Sequence, residues 1–162
     1  MRNPAMEFTP AGSEPMMLAM PMLHALAGRP RVPLAALDDL PFVGFAPRTS
    51  SYFHALLRDL FKEAGVEPRV VQESVMPTIL ALVEAEVGVA LVPASAAGLR
   101  TGRVVYRPVQ GRGSAIRAVL HSVRRNDGLS PPADAFASIL ASIAGRRHAR
   151  YASGVDSGRS AR

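Results

Sequence analysis

The chain has 162 residues, of which 48% are hydrophobic and none is cysteine, and its formal net charge is +6. This length and apolar fraction predict a globular domain with a sizeable core, and the absence of cysteine excludes disulfides, thiol catalysis and cysteine-ligated zinc. No uninterrupted apolar run approaches about 18 residues, and no apolar segment precedes Glu7, so we expect neither a membrane span nor a secretory signal. A cytoplasmic location fits these features.

The positive charge is concentrated at the carboxyl end. Residues 33–145 carry 11 basic and 10 acidic side chains, whereas residues 146–162 carry 5 and 1. A basic end can touch phosphate non-specifically, but we expect residues 146–162 to form a solvated, disordered tail. Residues 1–13 match no motif and contain few core-forming side chains apart from Phe8, so they are predicted to be loose.

Two short apolar runs near the beginning predict strands, at residues 16–20 and 42–45. Residues 29–40 lie between them and predict an extended connection with a short turn, because Pro30 and Pro33 prevent a regular helix. The first helix is therefore expected only after residue 45.

The clearest predicted helix begins near Thr49, Ser50 and Ser51, any of which can cap it. Gly65 stands at its expected end. The next strand is predicted at residues 69–72. The apolar positions of the helix recur on one face: Phe53, Leu56, Leu57, Leu60, Phe61 and Ala64.

Residues 73–97, ESVMPTILALVEAEVGVALVPASAA, predict a helix, a buried strand and a proline turn in succession. Ser74 is the predicted cap, and Pro77 lies in the first turn, where a missing N–H costs little. Gly88 is the predicted stop, and residues 89–92 suit a strand covered on both faces in a mostly parallel sheet. The predicted buried face of the helix comprises Met76, Ile79, Leu80, Val83 and Val87.

The alternation of strands and helices over residues 42–92 implies an α/β fold with a parallel sheet. Residues 104–109 and 115–123 add two strands, and GRGS at residues 111–114 predicts a hairpin turn. Ser130 as cap and Pro131 at the first helical position predict a last helix. Its predicted apolar face comprises Phe136, Ala137, Leu140, Ile143 and Ala144.

The order of these segments resembles the effector-binding, or substrate-binding, domain of LysR-type transcriptional regulators. That family typically has LVAAGLGVALVPAS where this chain has the second half of residues 73–97, and HALAGRPRVPLAAL from His24 resembles its HPLAGRPRVPLAAL. The resemblance covers roughly residues 14–143. Further segments follow in the family's order: residues 14–21, 37–45, 64–68, 102–109 and 122–127.

The resemblance implies an α/β fold like that of type 2 periplasmic binding proteins, in which two subdomains enclose a ligand cleft. Residues 14–145 would be an incomplete effector-binding domain. Within it, residues 14–125 would supply most of the second subdomain, and residues 130–144 the helix that returns to the first. The family's helix-turn-helix, linker helix and the front half of the first subdomain have no counterpart, so a fragment or truncated product is expected.

The resemblance also implies a non-enzymatic domain that binds a small-molecule effector, an organic anion, without a cofactor. Expected partners are further copies or other LysR-type subunits, and DNA only through a helix-turn-helix that is missing here; no membrane partner is expected. In the family, effectors contact a loop and first helical turn that match Arg48, Thr49, Ser50, Ser51 and Phe53. Amides and hydroxyls at a helix N-terminus attract anions, which agrees with this assignment.

These candidate residues also have plainer interpretations. A serine before a helix is an ordinary cap, and a lone surface arginine such as Arg48 is usually solvated. Glu73 and Ser74 would face the same cleft in the family, and the alternative is a capping serine beside a solvated acid.

Other functions find little support in the sequence. The histidines His24, His54, His121 and His148 share no metal-ligand spacing, and Ser95 lacks the preceding glycine of a nucleophile elbow. A solute-binding protein of the same fold would need an export signal. An interaction-only remnant that pairs with full-length regulators is a further alternative.

The chain departs from the family pattern at Glu86, where glycine is usual. If this position requires a left-handed backbone, a residue other than glycine costs about 1–2 kcal/mol. The helix end would then be weakened without a change in the cleft.

Overall fold

The structure is a computed structural model that describes residues 6–99, 102–111, 116–125 and 131–153. Within these ranges, no helix is long and apolar enough to cross a membrane. The strands are β1 (Met6–Pro21), β2 (Val32–Pro33), β3 (Pro41–Phe45), β4 (Arg69–Ser74), β5 (Ala90–Pro93), β6 (Val104–Gln110) and β7 (Arg117–Arg125). The α-helices are α1 (Ser51–Ala64), α2 (Met76–Glu84) and α3 (Pro131–Ser153), and two short 3-10 helices span Leu34–Leu37 and Ala94–Gly98.

The chain divides into two compact units. We call Pro15–Ala118 the central unit, and Met1–Glu14 together with Val119–Arg162 the terminal unit. β1 and β7 each continue from one unit into the other. All hydrophobic side chains that are buried in the described residues lie in the central unit, which therefore contains the hydrophobic core.

The sheet of the central unit is mixed. β1 is antiparallel to both β5 and β6, with Leu18 opposite Leu91 and Arg107, whereas β2 is parallel to β6. β3 and β4 are parallel, and Phe42 of β3 forms a parallel bridge with Val89, just before β5. The parallel sheet predicted over residues 42–92 is correct for β3, β4 and Val89, whereas β5 itself is antiparallel to β1, because the strand–helix alternation constrains only the strands that it joins.

α1 begins and ends where the sequence predicts. Leu57 is buried on its inner face, and the ring of Phe61 meets that of Phe42 edge-on, with 5.3 Å between centroids. Gly65 has a left-handed backbone (φ 64°), and the N–H of Val66 donates to the carbonyl of Phe61 at 3.0 Å. Gly65 is therefore confirmed as the residue that ends α1.

α2 ends earlier than predicted. Its last residue is Glu84, and the left-handed residue that follows is Glu86 (φ 63°), so the prediction of Gly88 as the stop was wrong. The N–H of Val87 donates to the carbonyl of Leu82 at 3.0 Å, which closes the helix end and leaves Val87 exposed. The predicted burial is confirmed for Ile79, Leu80 and Val83.

Gly88 allows a close backbone approach. A Cβ atom on Gly88 would lie 2.6 Å from the carbonyl oxygen of Pro41. The N–H of Val89 donates to that oxygen at 2.9 Å, and the N–H of Val43 donates to the carbonyl of Val89 at 2.8 Å. Glycine therefore lets the chain run directly against β3 at this point.

We expect Glu86→Gly to raise the free energy of unfolding by about 1 kcal/mol, because glycine adopts the left-handed backbone without the strain that glutamate has there. Urea unfolding followed by circular dichroism measures the change. The matched control is Glu63→Gly inside α1, which should lower the free energy of unfolding by about 0.5–1 kcal/mol. A loss of stability in both variants would contradict the expectation.

The amino-terminal prediction was wrong in part. Residues 6–13, predicted to be loose, form the first half of β1, which pairs with β7. Local composition does not reveal a pairing with so distant a segment. In the described residues, β6 and β7 both pair with β1. The prediction that they form a hairpin with each other is therefore corrected. Residues 112–114 of the GRGS turn lie outside the described ranges.

The carboxyl-terminal predictions also need correction. α3 continues to Ser153, so residues 146–153 of the predicted disordered tail are helical; no glycine or proline interrupts the helix after Gly145. Ser130 and residues 154–162 lie outside the described ranges. On the predicted apolar face of α3, Phe136 and Ile143 are exposed, whereas Ala137 and Leu140 are half-buried.

His24 lies in the turn after β1 and gives the fold a pH dependence. Its Nδ1 accepts a hydrogen bond from the N–H of Leu26 at 3.2 Å, and burial lowers the pKa of His24 from its ordinary 6.5. The unfolded chain therefore binds more protons than the folded chain just below pH 6.5, and stability falls as the pH drops through that window. We expect His24→Asn, which keeps an acceptor for the turn, to lose less stability than the wild type between pH 7.5 and 5. Thermal melting at both pH values measures this difference, and equal losses would contradict it.

Candidate functional site

The carboxyl ends of β3 and β4 lie together because the two strands are parallel. The N–H of Ala46, directly after β3, donates to the carbonyl of Ser74, the last residue of β4, at 3.0 Å. The N–H of Ser50 then donates to the carbonyl of Ala46 at 2.9 Å and turns the chain into α1. Residues 46–50 are thereby held beside the end of β4.

The strand order reverses at β3. β4 pairs with one edge of β3, and Val89, which leads into β5, pairs with the other. The connection through α1 therefore runs to one side of β3, and the connection through α2 returns to the opposite side. Open α/β sheets bind ligands beyond the carboxyl ends of their strands at such a reversal. The loop from β3 to α1 occupies this position.

At the start of α1, backbone N–H groups precede the first hydrogen bond of the helix. Ser50 is the N-cap, as one of the predicted candidates, but its side chain makes no capping hydrogen bond. The first intrahelical bond runs from the N–H of His54 to the carbonyl of Ser50 at 3.0 Å. The amides of residues 51–53 precede that bond and carry the partial positive charge of the helix N-terminus.

The side chains around this turn are mostly accessible. Arg48, Thr49 and Ser51 are exposed, and Ser50 is half-buried. The ring of Phe53 instead stacks on Phe45, with 4.8 Å between centroids and 23° between planes, so it packs against the core. The turn thus places one cation and three hydroxyl groups beside the stacked rings of Phe45 and Phe53.

Ser74 is not the cap of α2, which corrects the prediction. It pairs with Phe45 as the last residue of β4, and Val75 is the N-cap, without a side-chain capping bond. Glu73 approaches α1, where one carboxylate oxygen lies 3.7 Å from Nε2 of His54. Because neighbouring strand residues point to opposite faces, Ser74 points away from the side on which Glu73 meets His54.

A separate groove of about 450 Å³ lies between α1 and the strands β3 and β4. Of the seven predicted site residues, only Glu73 lines it, so this groove and the loop at the start of α1 are different places. His54 also lines it and was missed from the sequence, because no local pattern links a helical histidine to a glutamate on the next strand. The other lining side chains include Phe42, Leu57, Arg58, Phe61, Lys62, Val66, Glu67 and Val70. No cluster in the described ranges has the three or more ligands that a metal ion requires.

The family model described as the LysR substrate binding domain matches residues 2–144, including most of the segment that was left unassigned from the sequence. HcaR, the hca operon transcriptional activator of Escherichia coli, is 27% identical over 119 residues, which are 73% of this chain and 40% of HcaR. The chain thus spans about two-fifths of the length of this relative.

Solved structures of effector-binding domains share the fold. The BenM domain with its effector benzoate has a TM-score of 0.74 at 20% identity, over 91% of this chain and 67% of that one. The QuiR domain in complex with shikimate has a TM-score of 0.74 at 19% identity, over 90% and 68%. These likenesses establish the fold like that of periplasmic binding proteins that the sequence predicts. Together with the match over residues 2–144, they show that the chain belongs to the LysR substrate-binding domain family.

Proposed function

We propose that this chain is the effector-sensing part of a LysR-type transcriptional regulator and works in the cytoplasm without catalysing a reaction. It binds a small organic anion, needs no cofactor, and acts on transcription through a DNA-binding domain outside this chain. The observation that carries the proposal is the position of the residues at the start of α1. There, exposed Arg48 and the first-turn amides lie beyond the carboxyl end of β3, where the strand order reverses.

The predicted residues take different parts in the proposed site, and Ser74 holds the loop after β3 in place, because its carbonyl accepts from the N–H of Ala46. Arg48 supplies positive charge, and the hydroxyls of residues 49–51 donate hydrogen bonds together with the helix amides. Phe53 offers an apolar wall, and Glu73 acts through its partner His54. The full set of proposed effector-binding residues is Arg48, Thr49, Ser50, Ser51, Phe53, Glu73 and Ser74.

An organic carboxylate is the effector class that this turn suits best. A carboxylate accepts several short hydrogen bonds and is ionised at neutral pH, so it pairs with both the helix N-terminus and a guanidinium group. Benzoate and shikimate, found with BenM and QuiR, both carry a carboxylate. Binding then shifts the protein towards the conformation that holds the anion better, and the regulator transmits that shift.

We expect Thr49→Ala and Ser51→Ala to weaken carboxylate binding about 10-fold or more, because a charge-assisted hydrogen bond is worth about 1.5–3 kcal/mol. Titrations of the 162-residue chain with benzoate and shikimate, followed by amide NMR shifts, test this, and benzamide serves as the neutral probe. The signals of residues 48–53 should move with the carboxylates and not with benzamide.

The matched control is Thr78→Ala, which removes an exposed hydroxyl from the first turn of α2 and should leave binding unchanged. No side-chain capping bond is present at Ser50, so stability should change little when neighbouring hydroxyls are removed. Carboxylate-dependent shifts that persist unchanged in Thr49→Ala and Ser51→Ala would refute the site assignment.

A further inference from the structure

The groove between α1 and the strands β3 and β4 has a largely apolar lining. It encloses about 450 Å³, a volume typical of pockets that hold small ligands. Val70 of β4, which is 54% exposed, lines it, and an apolar body placed there is removed from water, which is favourable. Further apolar side chains of the lining belong to the core or pack against it: Phe42, Phe45, Leu57, Phe61 and Val66.

Gly44 of β3 leaves space in this groove. A Cβ atom on Gly44 would lie 3.6 Å from Cγ of Glu73 and 3.7 Å from Cγ1 of Val70, and both of these side chains line the groove. These are ordinary contact distances, and Gly44 has no positive φ, so neither a clash nor the backbone requires glycine here. A larger side chain at position 44 would therefore fill part of the groove.

Basic side chains line the groove on its helical side. His54, Arg58 and Lys62 follow one another at intervals of four residues, so they lie on one face of α1, and all three line the groove. The acidic residues of α1, Asp59 and Glu63, lie outside the lining. The helix therefore presents basic groups and no acidic group to the groove.

The acidic side chains of the lining lie near the two ends of the groove. Glu73 is near the carboxyl end of β4, and one of its carboxylate oxygens lies 3.7 Å from Nε2 of His54 in the first turn of α1. Glu67 follows the end of α1. Among the described residues, no other acidic side chain lines the groove, so its middle, beside Arg58 and Lys62, is basic.

Arg58 and Lys62 are available to a ligand. Lys62 is exposed and forms no ion pair with any residue in the described part of the chain. Arg58 donates from Nε and Nη2 to one carboxylate oxygen of Asp59, at 2.9 and 2.8 Å, but the two side chains are 63% and 67% exposed. Such an exposed pair contributes little, so a ligand carboxylate can replace Asp59 at the guanidinium group at little cost.

We propose that this groove is a second ligand site, which binds a small amphipathic carboxylate. The carboxylate group pairs with Arg58 and Lys62, and the apolar body lies on the lining between Phe42 and Val70. The two basic side chains would repel a cation, and a neutral apolar molecule would gain nothing from them, so the charges favour an anion. The site goes beyond the proposed effector function, and it holds whether or not an effector binds at the start of α1.

Titration of the 162-residue chain with octanoate, followed by amide NMR shifts, tests this proposal, and octanamide is the neutral probe. Octanoate is kept below the concentration at which it forms micelles. We expect octanoate to move the signals of residues 57–70 and to bind there about 10-fold more tightly than octanamide. An excess of shikimate should displace octanoate from residues 48–53 and leave the shifts of residues 57–70 in place.

The key variant carries Arg58→Ala and Lys62→Ala, and it should weaken octanoate binding in the groove about 10-fold or more while shikimate binding stays unchanged. The matched control carries Arg31→Ala and Arg69→Ala, which remove the same charge from exposed side chains of the central unit outside the groove.

A third variant, Gly44→Val, fills the groove and should abolish the octanoate-dependent shifts of residues 57–70. Circular dichroism melting checks that every variant is folded. Because Arg58 and Lys62 are exposed, their double variant decides the question even if Gly44→Val is unstable.

Four results would overturn the proposal. The first is that octanoate leaves the signals of residues 57–70 unmoved, and the second is that octanamide binds as tightly as octanoate. The third is that the double variant at Arg58 and Lys62 binds octanoate as well as the control does. The fourth is a dimer in analytical ultracentrifugation that Gly44→Val abolishes and octanoate does not dissociate, since a second copy would then occupy the groove.

The same titrations separate this site from the effector site. In Thr49→Ala and Ser51→Ala, the octanoate-dependent shifts of residues 57–70 should persist while shikimate binding weakens. A failure of the groove is therefore distinguishable from a failure of the site at the start of α1.

Discussion

Phe42→Ala is expected to lower the free energy of unfolding by about 3–5 kcal/mol. Phe42 is 1% exposed, its ring packs edge-on against Phe61, and its backbone joins β3 to Val89. Truncation leaves a cavity where α1 meets the sheet, and the loss is a large fraction of the stability of a domain of this size. Urea unfolding at pH 7.5 measures the effect.

The matched control is Phe136→Ala in α3. The same atoms are removed from a side chain that is 65% exposed, so the free energy of unfolding should change by less than about 0.5 kcal/mol. A similar loss of free energy of unfolding in the two variants would mean that Phe136 is packed as firmly as Phe42. The central unit would then not be better packed than the terminal unit.

Gly88→Ala is expected to lower the free energy of unfolding by about 1–3 kcal/mol or more. The added methyl group would lie 2.6 Å from the carbonyl oxygen of Pro41, and a backbone oxygen that accepts from Val89 cannot move without breaking that bond. Gly98→Ala is the control, since a Cβ there has no atom within 4 Å. Equal melting temperatures for Gly88→Ala and the wild type would contradict this account of the close approach.

The features that the sequence predicted correctly are those determined by residues close together in the chain. The apolar spacing from Phe53 to Ala64 and the glycine at position 65 fix α1 by short-range hydrogen bonds and burial, and both are found where expected. The end of α2 was predicted wrongly because glycine serves both at left-handed helix ends and at close backbone approaches. Gly88 is needed for contact with Pro41, while Glu86 takes the left-handed backbone despite its strain.

Pairings between distant segments could not be predicted from local patterns. The antiparallel position of β1 between β5 and β6 depends on residues far apart in the chain. The same reason applies at the site. The residues around Ser50 were found because a helix start has a local signature, but the contact of Glu73 with His54 exists only once β4 packs beside α1.

The division of the terminal unit between the two ends of the chain has a consequence for synthesis. Glu7 contacts Arg124, so β1 acquires its β7 partner only after the more than 100 residues between them have emerged from the ribosome. The central unit is contiguous and can fold earlier, whereas pairing of such high contact order is slow. During that interval the first half of β1 has a free strand edge, and we expect chaperones and proteases to encounter the chain there first.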